Sequence, residues 1–285
     1  MKTYRETYIR RAEIAQLILL HQLYMQPGSQ NLIFQGGTAI RWCYGGSRFS
    51  EDLDFVTPLP PEGVRKILTA AIPGLQRVMI PHFGVGSVSI SEKGARKEAL
   101  KYFVDFRPEN SREKIAVKLE FEGLITGAMP QRINHILSSL SAVAYMIAAG
   151  EFRVPRPHAV VAAETPEEIL SDKVRSLLER RYLKGRDLFD VWHLCSVLKT
   201  SVDPEIIARK FVMYQAPFTA QREMNFFACP SEEGRTAMQQ AIDRDLSRFL
   251  PSESLAVYRD GGYAIFLDAV RELFTELKGK GLHLP

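Results

Sequence analysis

Two short segments of this chain alternate charged with apolar side chains at a period of two, and that pattern constrains the fold more than any other feature. In Asp52-Leu53-Asp54-Phe55, a strand puts both aspartates on one side and Leu53 and Phe55 on the other. Over residues 115–121, Ile115, Val117, Leu119 and Phe121 point one way while Lys118 and Glu120 point the other. Such alternation is the mark of half-buried strands rather than of a helix. Strands are therefore expected at 52–57 and 115–121, with two more at 85–90 and 100–107. Helices are expected over 3–25, from Gly36-Gly37-Thr38 to Tyr44, and over 62–71. Pro27-Gly28-Ser29, Gly45-Gly46-Ser47 and the prolines at 58, 60 and 61 punctuate them.

The character changes after Arg153-Val154-Pro155-Arg156-Pro157. From Thr165 onward most of the chain has helical spacing, at 166–181, 186–198, 204–211, 232–248 and 263–278. The expected architecture is a mixed α/β (α+β) protein of two lobes with a cleft between them. The α/β domain spans 1–160 and the helical domain 161–285. A length of 285 residues accommodates two modest domains. With 46% hydrophobic and 25% charged residues, the composition excludes a disordered tail protein, a collagen-like repeat and a coiled coil. No apolar run approaches the ~18 residues of a membrane span, and the N-terminus lacks the apolar core of a signal peptide. Cys43, Cys195 and Cys229 are odd in number and unpaired in sequence, so a reducing, cytoplasmic setting is expected rather than a zinc or disulfide framework. A net charge of +4 does not by itself announce nucleic acid.

Like charges held side by side on a strand repel unless a cation lies between them. Mg²⁺ suits Asp52 and Asp54, because it takes one or two carboxylates and completes its shell with phosphates and water. Upstream, Gly36-Gly37-Thr38 follows the apolar Leu32-Ile33-Phe34 and opens a helix, where glycines let a phosphate approach free backbone N–H groups. Thr38 is equally a competent N-cap. Glu120 and Asp105 both alternate with apolar neighbours, and either could supply a third carboxylate. Taken singly, each feature has a plain structural reading: a polar strand face, a solvated helix lysine at Lys173, an acid favoured by the helix dipole at Asp187. Six basic residues between Lys173 and Arg186 face one acid, Glu179, which describes a solvated face or a phosphate-contacting one. No histidine pair has metal-ligand spacing, and Trp42 and Trp192 are expected in the core.

Together, Gly36-Gly37-Thr38-Ala39 and Arg48-Phe49-Ser50-Glu51-Asp52-Leu53-Asp54-Phe55 resemble the signature of the polymerase-β-type nucleotidyltransferases. More narrowly, they are similar to the AbiEii/AbiGii toxin family, in which Gly-Gly-Thr-Ala and Arg-x-Ser-x-Asp-x-Asp-Phe are typical. Val117–Phe121 resembles that family's glutamate-bearing strand. Leu170–Leu177, followed by Arg186-Asp187-Leu188-Phe189-Asp190-Val191, resembles its downstream helical motifs. The resemblance implies an N-terminal polymerase-β-like sheet and a helical C-terminal lobe. It implies Asp52, Asp54 and Glu120 as metal ligands in a two-metal site for Mg²⁺, with Mn²⁺ as an alternative ion. Gly36, Gly37, Thr38, Arg48, Ser50 and Lys173 would hold the nucleotide, and Asp187 would orient Lys173 or the nucleotide, with Asp190 structural. The implied reaction moves a nucleoside monophosphate from an NTP to a hydroxyl, with the tRNA 3′ end as acceptor. The implied setting is a toxin of a phage-defence toxin–antitoxin system with a separately encoded antitoxin. The rival expectations are transfer to protein or to a small molecule such as an aminoglycoside, and a non-catalytic nucleotide sensor.

Overall fold

The computed structural model describes residues 4–94, 99–111 and 113–284; Thr3, the expected start of the first helix, lies outside them. The chain divides into two compact units. One comprises Glu6–Gly45 and Ser50–Glu164; the other comprises Gly46–Phe49 and the chain from Thr165 onward, with the segment up to Arg5.

The first unit is built on a mixed sheet of β1 (Ile33–Gln35), β2 (Asp52–Thr57), β3 (Gly86–Glu92), β4 (Ala99–Pro108), β5 (Ile115–Gly123), β6 (Arg132–Ile136) and β7 (Val160–Glu164). Their order is β3-β4-β5-β2-β1-β7-β6, with β2 parallel to β5, β1 parallel to β7 and the other pairs antiparallel. The expected alternation in β5 is present: Ile115, Val117, Leu119 and Phe121 are buried, and Lys118 and Glu120 are partly exposed. Register aligns Phe34 of β1 with Phe55 of β2, and Phe55 with Phe121 of β5. Their rings follow at 5.5 and 5.1 Å, forming an aromatic row across the centre of the sheet.

Helices α1 (Glu6–Tyr24) and α3 (Pro61–Phe83) pack on one another and on this sheet; α2 (Gly36–Cys43) packs on β1 and β2. The second half of α1 is buried all round. Its one central amide, Gln16, is satisfied by donating to Ser50 O at 2.6 Å and accepting from the Trp42 indole at 3.3 Å. α3 runs well past the expected end at residue 71, through Pro73 and Pro81. Proline ordinarily ends such a pattern, but Leu75 and Met79 continue the stripe begun by Val64, Ile67, Leu68 and Ala71, and that burial outweighs the lost hydrogen bonds. Strands β6 and β7 and helix α4 (Ser141–Ala148) were not expected. β7 reads Val-Val-Ala-Ala-Glu, with its last four residues all buried, so it has no alternation to see, and it carries the sheet unit to Glu164.

The second unit contains α5 (Pro166–Glu179), α6 (Gly185–Trp192), α7 (Pro204–Val212), α8 (Asn225–Ala228), α9 (Glu232–Leu246), α10 (Ser252–Asp260) and α11 (Ala264–Gly279). A π-type turn, His193–Val197, continues α6. Phe266 is the centre of an aromatic cluster with Phe189 at 5.2 Å, Trp192 at 5.2 Å and Tyr258 at 4.8 Å. At Gly185 a Cβ would run into the backbone of Ala241 and Ile242, so this glycine sets how closely α6 crosses α9.

These two packing features separate the units experimentally. Phe55→Ala is expected to lower unfolding free energy by about 3–5 kcal/mol. Gly185→Ala is expected to lower it by about 1–3 kcal/mol through overpacking. Urea titrations followed by circular dichroism check both values, and a cost below ~1 kcal/mol for Phe55→Ala would contradict the aromatic row as the sheet's core.

Candidate active site

Parallel register sets Asp52 of β2 opposite Lys118 of β5, and Asp54 opposite Glu120. On the outer neighbours, Lys101 of β4 stands opposite Glu120 and Gln35 of β1 opposite Asp54. One face of the sheet thus gathers Asp52, Asp54 and Glu120 with Lys118 and Lys101, and the same face carries Asp105 and Glu122. The Lys118 ammonium donates to Asp52 Oδ2 at 2.9 Å and lies 2.6 Å from Glu120 Oε1. Lys101 Nζ is 3.3 Å from that same Glu120 oxygen. Burial pushes the Glu120 carboxyl up, but the hydrogen bond and charge of Lys118, with Lys101 behind it, hold it below the usual glutamate value. Burial likewise pulls Lys118 down, and its bonds to Glu120 and Asp52 more than reverse that. Asp105, the competing carboxylate, stands opposite Ala116 and pairs with Lys114 at 2.7 Å.

Gly36 opens α2 with Gln35 as its N-cap residue. Its φ of +76° favours glycine, and a Cβ there would stand 2.8 Å from Asp54 Oδ2. The Asp54 carboxylate therefore lies beside the first turn of the helix, where the macrodipole favours negative charge. Thr38 is not the N-cap. It sits buried in the first turn beside Gly37, and its hydroxyl donates to the Asp52 carbonyl, tying α2 to β2. Ser50 is also buried, its carbonyl held by Gln16.

The other residues singled out in the sequence belong to the helical unit and meet there. Asp187 and Asp190, three apart on α6, share a face. Lys173 of α5 lies 2.9 Å from Asp187 Oδ1 and 2.7 Å from Asp190 Oδ2. Arg48 grips Asp190 with two bonds of 2.6 Å, and its third nitrogen donates to Phe49 O at 2.9 Å. Arg48 is 3% and Lys173 7% exposed, so both cations are committed inside the unit. Burial raises the Asp187 carboxyl, yet Arg180, Lys173 and Arg186 hold it far below the ordinary aspartate value. Asp190 is also held down: Arg48 and Lys173 outweigh its burial and the repulsion from Asp187. On its other side, α5 presents Glu168 and Asp172 to the fully buried Lys210 of α7, at 3.0 and 2.7 Å. The sequence carries no sign of this second cluster beyond a lysine at an apolar position.

The basic run from Lys173 to Arg186 is not one uniform face. Lys173, Arg175 and Arg180 turn to carboxylates. Arg181 and Lys184 pair with none among the described residues. Between them Tyr182 is 66% exposed, with the Arg181 guanidinium 5.2 Å from its ring centroid. Arg222 donates to the carbonyls of Leu177, Arg180 and Arg181, and Arg244 to Leu183 O at 3.0 Å, so this loop is fixed from below. The sequence reading passed over Tyr182; the interleaving of Arg181, Tyr182 and Lys184 was the available signal.

The model of the family described as "Nucleotidyl transferase AbiEii toxin, Type IV TA system" matches residues 18–274. No curated protein matches this chain. Among solved structures, it is similar to a Helicobacter pylori protein named only provisionally as a nucleotidyltransferase. That likeness has 16% identity and a TM-score of 0.56, over 98% of this chain and 100% of the other. It is also similar to JHP933 from Helicobacter pylori, at 16% identity and a TM-score of 0.58, over 98% of this chain and 96% of the other. At such identity these two structures speak for the fold, while the family match spans both the carboxylate strands and the Lys173–Asp187 helices. The resemblance in the motifs is thereby borne out: the chain belongs to the AbiEii family of nucleotidyltransferase toxins, from type IV toxin–antitoxin systems, and is a nucleotidyltransferase.

Proposed function

We propose that this nucleotidyltransferase moves a nucleoside monophosphate from an NTP to the 3′ hydroxyl of tRNA in a Mg²⁺-dependent reaction, acting as the toxin of a phage-defence system. The family implies the NTP donor and an antitoxin partner. The observation that carries the reading is the register of β2 on β5, which collects Asp52, Asp54 and Glu120 on one face beside the N-terminus of α2.

The donor set there is carboxylate oxygen throughout, which suits a hard cation. Among the described residues no three acidic, histidine or cysteine side chains close a metal site by themselves. Mg²⁺ takes one or two carboxylates and fills its shell with phosphate oxygens and water. Asp52 and Asp54 are the residues that would hold it. When bound, the ion supplies positive charge to the triphosphate oxygens and the departing pyrophosphate.

The chain's own groups do the rest. Gly36 and Gly37 would offer backbone N–H groups of the first turn of α2 to phosphate oxygens, and Thr38 keeps that turn registered on Asp52. Ser50 adds to this phosphate-binding segment, and Glu120, rather than Asp105, completes the carboxylate set. Within the helical unit Lys173 is oriented by Asp187 and Asp190, and Arg48 braces Asp190. In the transfer the acceptor oxygen bonds to the α-phosphorus, the bond from that phosphorus to the β-phosphate oxygen breaks, pyrophosphate leaves and the hydroxyl proton passes to solvent. An RNA acceptor is supported by the fixed loop, whose unpaired Arg181 and Lys184 flank an exposed tyrosine, the combination that holds phosphates and stacks bases.

Asp54→Asn keeps the shape of the site while removing a charge. It is expected to lower transfer at least about a hundredfold and to release cells from growth arrest. Retained transfer in this variant would contradict the assignment. For the acceptor, Arg181→Gln with Lys184→Gln is expected to flatten the salt dependence of tRNA binding by roughly 1.4 to 1.8 in log–log slope. Tyr182→Ala is expected to weaken binding about tenfold with the slope unchanged. Fluorescence anisotropy across a salt series measures both, and unaltered slope and affinity in both variants would move the acceptor elsewhere.

A further inference from the structure

We infer that Gln16 is a positioning residue for nucleotidyl transfer: from the buried α1 it sets where Asp52 stands relative to the first turn of α2. The inference rests on the reading of Asp52 as a metal ligand and adds to it a residue outside the sheet and outside the signature motifs.

Asp52 is the first residue of β2. Pairing with β5 begins at Asp52 itself, and pairing with β1 only at Asp54. Asp54 therefore has strand neighbours on both sides, whereas Ser50 and Glu51, the backbone that delivers Asp52, precede both ladders. Side chains hold that backbone instead. The Gln16 amide donates to Ser50 O at 2.6 Å and to Glu51 O at 3.2 Å. The Thr38 hydroxyl donates to the next carbonyl, that of Asp52. Three consecutive carbonyls at the first carboxylate are thus each held by a side chain from a helix. Ser50 is also where the chain returns to the sheet unit after Gly46–Phe49, so Gln16 grips it at its point of entry.

The amide has one orientation. The Trp42 indole can only donate, so the Gln16 oxygen faces it, at 3.3 Å, and both amide hydrogens go to the two carbonyls. Trp42 lies on α2, the helix that Gly36 and Gly37 open. Beside it, Arg41 Nε donates at 2.8 Å to Glu13, three residues before Gln16 on α1. α1 thereby ties the glycine-opened helix to the entry of the carboxylate strand. Gln16 is 0% exposed, on a helix whose second half is buried all round. An apolar side chain would fill such a position without the cost of burying an amide. What it would lose is the hold on residues 50 and 51.

The test reads ion binding rather than turnover. Mn²⁺ is titrated into the full chain with the four α,β-methylene nucleoside triphosphates, and water proton relaxation separates protein-bound Mn²⁺ from Mn²⁺ on free nucleotide. Circular dichroism checks that each variant is folded. Gln16→Met and Gln16→Glu, which both lose the donated bonds, are expected to bind Mn²⁺ about tenfold more weakly, the lower end of what losing a group that orients a metal ligand costs. Tyr24→Phe is the control: it removes a buried hydroxyl of the same helix, bonded to Leu32 O at 2.6 Å with Ala162 O at 3.1 Å, and is expected to leave Mn²⁺ affinity unchanged. Natural affinity in a folded Gln16 variant would overturn the inference, as would an equal loss in Tyr24→Phe, which would mark a general loosening of α1. If neither Gln16 variant folds, Trp42→Phe takes their place, since it frees the amide from α2 with Gln16 still present. A loss of about threefold is then expected, and natural affinity would overturn the inference. Asp52→Asn separates the two levels. Natural Mn²⁺ affinity in that variant overturns the metal-ligand reading and the role of Gln16 with it; weakened affinity there but not in the Gln16 variants overturns the role of Gln16 alone.

Discussion

The parallel pairing of β2 with β5 is the constraint on which the rest of the site depends. It sets Asp52 against Lys118 and Asp54 against Glu120 on one face, and Phe55 against Phe121 on the other. Two unit charges about 5 Å apart repel by about 3 kcal/mol at an effective dielectric near 20, so the carboxylate face resists assembly. Lys118 and Lys101 offset part of that repulsion. The aromatic row of Phe34, Phe55 and Phe121 holds the register against the remainder. A slip by one residue would turn Phe55 to water and both aspartates into the core. Charge and apolar packing are thus opposite faces of the same six-residue strand.

The helical unit reaches a comparable end by other means. Lys173, Asp187, Asp190 and Arg48 form a buried ionic cluster with short, mutually satisfied contacts. Buried ion pairs of this kind stabilise little more than apolar packing of similar volume, while breaking one costs about 3–5 kcal/mol. Their worth lies in fixing where each charge points. Lys173 is held by two carboxylates of one helix, and Gly185 fixes how closely that helix crosses α9. The orientation of the lysine therefore depends on a helix crossing as well as on its own bonds.

Period and punctuation made β2, β5, the glycine turn and most of the helices legible in the sequence, since each is written locally. What needed the fold was long-range. Glu120 and Asp105 have the same alternation in sequence, and strand pairing alone sets Glu120 opposite Asp54 and Asp105 opposite Ala116. Thr38 fits an N-cap by type, but the helix begins two residues earlier and its hydroxyl serves β2 instead. Arg48 belongs to a signature motif, yet its guanidinium is spent on Asp190, a residue far along the chain. β7 was hidden because a strand buried on both faces has no alternation, and α3 outran its prolines because the buried stripe continued beyond them.

The most direct measurement follows the two ends of the triphosphate separately. Purified protein with Mg²⁺ and total tRNA is given each NTP labelled with ³²P either at the α- or at the γ-phosphate, and the products are resolved on a denaturing gel and by thin-layer chromatography. Nucleotidyl transfer by the carboxylate face predicts α-label in tRNA with one or two of the nucleotides, and γ-label only in released pyrophosphate. Label from the γ-phosphate in tRNA, or α-label in polypeptide with tRNA left dark, would contradict it.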